Sequence, residues 1–276
     1  MMTGTFGRLA LHTWTIDTTP LATALDAAKL GGFDAMELRR IDFERCYEAG
    51  MSNDQVLDLV KQSGIPVGVL GVKYGFLFAQ GDDQKELFDI YRLSCQNAVA
   101  LGCDMLMSAP GQNDGTIKYA IESLKRAGDI AAEYGLRIGI EFNSQHPTLN
   151  NMAVQRELVE GAGRANVGYL IDAYHFARSG APGASFGDMP ADKIYCFQYS
   201  DLSPTPVTGV RRPTDRLAPG KGVVRWTEIF RLLKEKGYTG YLSYEAPNPE
   251  LWAQSPYDVC REGVKLTKKL LRDAAV

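Results

Sequence analysis

The sequence predicts an α/β protein, a single (β/α)8 TIM barrel that spans residues 1–276 as one domain. Three observations support this fold class. Short apolar runs typical of buried strands alternate with amphipathic helical stretches along the whole chain. The length of 276 residues suits a barrel, which typically has about 250 residues. The turn after the first strand, at residues 15–20, lacks the Gly-x-Gly-x-x-Gly pattern of a dinucleotide-binding sheet.

The eight predicted strands are short and rich in apolar residues, as expected for a parallel sheet that is covered on both faces. They are expected at residues 9–14, 35–38, 66–70, 105–108, 137–142, 167–171, 194–198 and 241–245. Between them apolar residues recur at helical spacing, and several stretches end at a glycine, which suits a left-handed C-cap. Helices are expected at residues 21–30, 53–63, 84–101, 117–134, 152–162, 226–236 and about 257–271.

Two irregular stretches interrupt this alternation in the second half of the chain. Residues 179–189 are predicted to replace a full helix after the sixth strand, and residues 200–225 to form a long loop after the seventh. Loops at the C-terminal ends of barrel strands are where this fold builds its sites. We therefore expect the long loop to contribute to the functional site.

Charge and cysteine content narrow the class of function. The net charge of −3 and the pI of about 5.7 argue against broad electrostatic binding of nucleic acid or of an anionic membrane. No apolar stretch reaches the roughly 20 residues of a membrane helix, and the N-terminus lacks a secretory signal pattern. Five scattered cysteines without a Cys-x-x-Cys pair argue against a disulfide framework or a thiolate zinc site. We expect a cytoplasmic enzyme that acts on a small molecule.

Polar side chains end the last four predicted strands: Glu141, Asp172, Gln198 and Glu245. Burying a carboxylate there costs free energy unless something pairs with it. The C-terminal ends of barrel strands meet on one face, so we expect these side chains to converge. Three carboxylates and one amide oxygen suit a divalent metal, with Mn²⁺ or Mg²⁺ expected before Zn²⁺ or Co²⁺. Three histidines are too few for a His-rich zinc site.

Six further side chains are candidates for contacting the substrate, because they lie in or near predicted strand ends and loops on the same face. They are His12, Trp14, Lys73, His146, His175 and Arg216. Core packing, helix capping or a solvated basic turn are the structural alternatives for these residue types. Glu37, near the end of the second strand, is a further candidate. No Gly-x-Ser-x-Gly motif is present, and a Ser/His/Asp triad is not evident.

Four segments resemble the xylose-isomerase-like TIM-barrel superfamily of sugar isomerases, epimerases and related lyases. They are residues 140–142, 166–176, 215–222 and 241–245. Within it the chain resembles the inosose isomerase group, whose positions matching Glu141, Asp172 and Glu245 bind the metal together with a histidine from the seventh strand. Here that position is Gln198, which is similar to the dehydroshikimate dehydratases.

The resemblance implies a divalent-metal-dependent isomerase or epimerase of a keto-sugar, keto-inositol or related polyol. Glu141 and Glu245 would act as an acid/base pair on a metal-stabilised enediolate. Asp172 and Gln198 would mainly position the metal. The alternative is a lyase on the same scaffold, a dehydratase or an enzyme of β-elimination, which starts from the same enediolate. Many such barrels are dimers, so the resemblance also implies a homodimer.

Two other functions stay open at this point. A DNA-repair endonuclease of the same superfamily needs a basic groove and a His-rich trinuclear zinc site, which three histidines and a net charge of −3 disfavour. A non-catalytic barrel would bind only a sugar or a protein partner. Absence of bound metal in the purified protein would favour that last function.

Overall fold

Eight parallel strands close into a barrel in chain order in the computed structural model, which describes residues 6–276. Each strand pairs with the next one along the chain, and the eighth pairs with the first. The strands are β1 (Leu9–His12), β2 (Ala35–Leu38), β3 (Val67–Gly71), β4 (Met105–Ser108), β5 (Arg137–Ile140), β6 (Val167–Asp172), β7 (Ile194–Tyr199) and β8 (Leu242–Tyr244). The predicted (β/α)8 barrel is therefore confirmed.

Helices surround the barrel and cover the outer faces of its strands. Within residues 6–276 they are α1 (Leu21–Gly31), α2 (Arg40–Glu48), α3 (Asn53–Ser63), α4 (Gly81–Ala100), α5 (Ile117–Glu133), α6 (Met152–Ala162), α7 (Ala173–Arg178), α8 (Trp226–Glu235), α9 (Pro249–Trp252) and α10 (Pro256–Asp273). Short 3₁₀ helices lie at Thr13–Ile16 and Ala191–Lys193. None of these helices has both the length and the apolar character needed to cross a membrane.

Three helices were not predicted: α2, α7 and the four-residue α9, and all three follow strands on the side of the barrel mouth. α2 buries only three of its nine residues, so its apolar periodicity is weak. It begins where Asp42 Oδ2 accepts the backbone N–H of Arg39 at 2.7 Å. α7 has six residues and begins where Asp172 Oδ1 accepts the backbone N–H of Tyr174 at 2.9 Å. A helix of fewer than two turns gives too little periodicity to be predicted.

The long loop between β7 and α8 is held by one buried carboxylate. Oδ1 of Asp201 accepts the backbone N–H groups of Leu202 at 3.0 Å and of Val224 at 2.9 Å. Its Oδ2 accepts the Gly220 backbone N–H and the Trp226 indole N–H, both at 2.8 Å. Hydrogen bonds to an ionised acceptor are the strong ones. This carboxylate therefore ties both ends of the loop together.

Two further contacts hold the two ends of the loop against each other. The backbones of Asp201 and Leu217 exchange hydrogen bonds of 2.8 and 2.9 Å. At Gly222 two segments of the loop approach so closely that a Cβ atom would clash with the carbonyl oxygen of Leu202. Any side chain at this position would displace the loop. As a result Arg216, next to Leu217, is held in the interior with only 3% of its surface exposed.

Candidate metal centre

The four side chains predicted to bind a metal lie at the C-terminal ends of four neighbouring strands. Glu141 directly follows β5, Asp172 ends β6, Gln198 lies in β7 and Glu245 directly follows β8. All four are buried, with at most 6% exposure. Asp172 and Gln198 are register partners, so their side chains point to the same side of the sheet. The structure thus brings these residues together on one face of the barrel.

One guanidinium links two of the carboxylates. Arg216 Nη1 donates to Asp172 Oδ2 at 2.6 Å and to Glu245 Oε2 at 3.0 Å. Burial alone would lower the pKa of Arg216, but the charges of Asp172 and Glu245 outweigh burial and raise it. Arg216, predicted as a substrate contact, therefore also neutralises carboxylate charge inside the centre.

His175 lies close to the carboxylates. Ligand atoms of Glu141, Asp172 and His175 all lie within 4.8 Å of one another. Arg216 Nη2 lies 3.3 Å from His175 Nε2, and Glu141 Oε1 lies 3.5 Å from the same nitrogen. On the other side of the ring the backbone N–H of Ser144 donates to Nδ1 at 3.3 Å, and Ser144 Oγ lies 3.0 Å from it. Burial lowers the pKa of His175 well below its usual value, so the ring is neutral and its Nε2 edge faces the carboxylates.

The centre holds buried oxygens that lack hydrogen-bond donors. Burial raises the pKa of Glu141 well above its usual value, and the charges of Glu245 and Asp172 raise it further. Burial also raises the pKa of Glu245 to about 7, against the opposing charge of Arg216. Among the residues that the structure describes, Glu141 Oε1 and Gln198 Oε1 have no hydrogen-bond partner. A divalent cation would satisfy both oxygens and offset the carboxylate charge, so this donor set fits a metal.

A further buried carboxylate, Glu37, contacts Gln198 across the barrel interior. Glu37 lies in β2 and is fully buried, and its Oε1 accepts the Gln198 side-chain N–H at 2.8 Å. Burial raises the pKa of Glu37 to about 8. Glu37 was a candidate from the sequence, which gives no indication that Gln198 is its partner. The signal was the same as for the other carboxylates, a charged residue near the end of an apolar strand.

His12 ends β1 and faces Glu245. Its Nδ1 accepts the backbone N–H of Trp14 at 3.1 Å, so Nε2 carries the ring proton. That Nε2 lies 3.4 Å from Glu245 Oε1. The contact with Trp14 also turns the chain into the 3₁₀ helix Thr13–Ile16, so β1 ends before the predicted boundary at residue 14. His12 and Trp14 both line a cavity beside the carboxylates.

Two neighbouring cavities lie at this face of the barrel. The smaller, of about 40 Å³, is lined by groups of the centre, among them Glu141, His175 and Glu245. The larger, of about 410 Å³, falls within the range of small-molecule sites, roughly 300–1,000 Å³. The side chains or backbones that line both cavities are Trp14, Arg39, Tyr74, Gly111 and Arg212. Because the two cavities share these walls, a molecule bound at the centre could extend into the larger cavity.

Lys73 and His146 were the remaining predicted substrate contacts. Lys73 lines the larger cavity, where its Nζ donates to Glu44 Oε1 at 2.9 Å. His146 lines neither cavity. Its Nδ1 accepts the backbone N–H of Leu149 at 2.9 Å, and its Nε2 lies 2.8 Å from the carbonyl oxygen of Asn113. Both ring nitrogens are engaged in loop packing, so His146 organises its own loop rather than the cavity.

Comparison with known proteins gives the same fold. An inosose isomerase from Halalkalibacterium halodurans is 26% identical over 262 residues, which cover 92% of this chain and 91% of that protein. A 3-dehydroshikimate dehydratase from Pseudomonas putida is 26% identical over 232 residues, which cover 83% of this chain and 36% of that protein. A crystal structure of the IOLI protein with a zinc atom matches with a TM-score of 0.82 at 24% identity, over 97% of each chain. Residues 25–270 match the family model described as xylose isomerase-like TIM barrel. The chain therefore belongs to the xylose isomerase-like TIM barrel family.

Proposed function

We propose that this protein is a divalent-metal-dependent isomerase or epimerase of a keto-sugar or keto-inositol. The observation that carries the proposal is the buried group of strand-end residues, which includes two oxygens without hydrogen-bond donors. The inosose isomerase relative supports the substrate class, and the zinc atom in the IOLI protein supports a divalent metal. The oxygen-rich donor set of this chain favours Mn²⁺ or Mg²⁺ over zinc.

The residues that would hold the metal are Glu141, Asp172, Gln198 and Glu245, with His175 beside them. When bound, the metal supplies a Lewis acid that stabilises negative charge on neighbouring substrate oxygens. Asp172 and Gln198 act mainly as anchors, since a neutral amide is a poor base. His175 and Arg216 line the small cavity and can hydrogen-bond the same oxygens.

Glu141 and Glu245 are the groups that would move the proton. Both line the small cavity. One carboxylate removes the proton from the carbon next to the ketone, and the electron pair left behind forms the C=C bond of an enediolate. Returning the proton to the former carbonyl carbon, while the neighbouring hydroxyl passes its proton to the former carbonyl oxygen, gives an isomer. Returning it to the opposite face of the first carbon gives an epimer.

Exchange of the substrate α-proton with solvent deuterium tests this proposal. The Mn²⁺-loaded protein is incubated with a keto-inositol in D₂O, and the α-carbon signal is followed by NMR. We expect exchange with the native protein and none with Glu141→Gln or Glu245→Gln. Glu133→Gln, on the exposed surface of α5, is the matched control and should exchange like the native protein. Exchange that persists in both active-centre variants, with the fold intact, contradicts the proposal.

Gln198 supports a second candidate function, that of a dehydratase. The seventh-strand glutamine is similar to the dehydroshikimate dehydratases, and one of these enzymes is among the relatives. After the same proton removal, the carboxyl group would pass the proton to a β-hydroxyl, which would leave as water while the electron pair forms a C=C bond conjugated with the ketone. Mass spectrometry separates the two functions, because a dehydratase gives a product lighter by one water and an isomerase gives a product of unchanged mass.

A further inference from the structure

The larger cavity at the barrel mouth contains an excess of positive charge. The cationic side chains that line it are Arg39, Arg40, Arg45, Lys73 and Arg212. Asp17 and Glu44 also line it, and Asp42 binds Arg39 from outside the lining. Five cations against three carboxylates leave an excess of two positive charges. Because the whole chain has a net charge of −3, this cavity is opposite in sign to the molecule that contains it.

Two of these guanidinium groups have hydrogen-bonding capacity to spare. Within residues 6–276, Arg212 forms no ion pair, and its guanidinium carbon lies 4.3 Å from the centre of the Trp14 ring. Nη1 of Arg40 is buried and has no acceptor in the same part of the chain. Arg40 Nε makes only a 3.4 Å contact with Glu44 Oε1, and this oxygen also accepts a hydrogen bond from Lys73 Nζ. A buried N–H without an acceptor costs free energy, so an acceptor from outside the chain would stabilise this wall.

Arg212 connects this wall with the candidate metal centre. It lines both cavities, as does Trp14 beneath it. A substrate that places its reacting carbons at the small cavity can reach Arg212 with its far end.

We propose that Arg40 and Arg212 bind an anionic group, a carboxylate or a phosphate, on the non-reacting end of the substrate. The inference rests on the proposed function and narrows its substrates to keto-polyols that carry an acid group. A guanidinium matches either anion, because it donates two parallel N–H bonds. Stacking on Trp14 holds the Arg212 plane in place and leaves its N–H edge for the ligand.

Binding of three probes with a common six-carbon chain tests the inference: D-gluconate, D-glucitol 6-phosphate and D-glucitol. Titration calorimetry or ligand-observed NMR measures their affinity for EDTA-treated protein, so that no probe binds through a metal. We expect one or both anions to bind about tenfold or more tightly than D-glucitol, the effect of one hydrogen bond to a charged group. The better anion identifies the acid group.

The variants are Arg40→Gln, Arg212→Gln and the pair combined. Each single substitution should reduce the preference for the anion, and the double variant should lose it. Arg92→Gln removes an exposed arginine that pairs with Glu133, and it should keep the preference. The inference is overturned if the native protein binds D-glucitol as tightly as it binds both anions. It is also overturned if the preference for an anion survives the double substitution. The readout needs no turnover, so it can succeed where the deuterium exchange assay fails, and the two proposals are tested separately.

Discussion

Gln198 donates its side-chain N–H to Glu37 Oε1 at 2.8 Å, and both side chains are fully buried. An amide that gives its N–H₂ group to a fixed acceptor has its carbonyl oxygen directed elsewhere. This contact therefore sets Gln198 Oε1, which has no partner among residues 6–276, as the atom available to a cation. Partners of this kind orient the ligands of many metal sites.

Removing the Glu37 acceptor should weaken metal binding. In Glu37→Leu the Gln198 amide is free to rotate, and we expect the affinity for Mn²⁺ to fall by about 10–100-fold. Glu37→Gln keeps an oxygen that can accept the same N–H, so it should lose less. Calorimetric titration of the EDTA-treated proteins with Mn²⁺ measures both effects. An unchanged affinity in Glu37→Leu would show that this contact does not position a ligand.

The stability of the metal-free protein should fall as the pH rises. Burial raises the pKa of Glu37 from 4.5 to about 8, so between these values the folded protein holds a proton that the unfolded chain has lost. The free energy of unfolding therefore decreases with pH across this window. We expect a loss on the order of a few kcal/mol, at about 1.4 kcal/mol for each unit of pKa shift. Urea unfolding at several pH values in EDTA measures it. In Glu37→Gln the free energy of unfolding should change less with pH than in the native protein. The same pH dependence in both proteins would show that Glu37 is not the group responsible.

Loss of Arg216 should make the protein depend more strongly on metal for its stability. Arg216→Met leaves the buried carboxylates of Asp172 and Glu245 without their shared cation. Removing one partner from a buried ion pair costs about 3–5 kcal/mol. We expect the metal-free variant to melt well below the native protein and Mn²⁺ to restore part of the difference. Thermal unfolding with and without Mn²⁺ shows this as a wider gap between the two melting temperatures. The same gap in both proteins would mean that metal and guanidinium do not share these carboxylates.

Replacing Gln198 by histidine should change the preferred metal. Imidazole nitrogen is a better zinc ligand than an amide oxygen, whereas Mn²⁺ and Mg²⁺ accept oxygen readily. In Gln198→His we expect the ratio of Zn²⁺ to Mn²⁺ affinity to rise by about tenfold or more. Competition titration against a chelating dye measures the ratio. If it does not change, residue 198 does not bind the metal.

The strand-end residues could be predicted because closure of a parallel barrel brings the C-terminal ends of all strands to one face. The pairing of Glu37 with Gln198 could not be predicted from the sequence. The two residues lie on β2 and β7, which are not neighbours, and their side chains meet only across the closed interior of the barrel. The place of Arg216 depends on the path of a long loop with no periodicity of its own. For His146, the sequence offers no means of telling a ring that faces a cavity from one that packs under a loop.

The Asp201 carboxylate, with its four N–H donors, fixes the two ends of the loop after β7, at Leu202 and at residues 220–226. A loop held at both ends in this way does not swing open as a hinged lid. The larger cavity is bordered by Arg212 of this loop and by the segments that follow β1, β2, β3 and β4. We expect substrate to enter a preformed site from the side of this cavity, and turnover to be limited by proton transfer rather than by loop closure.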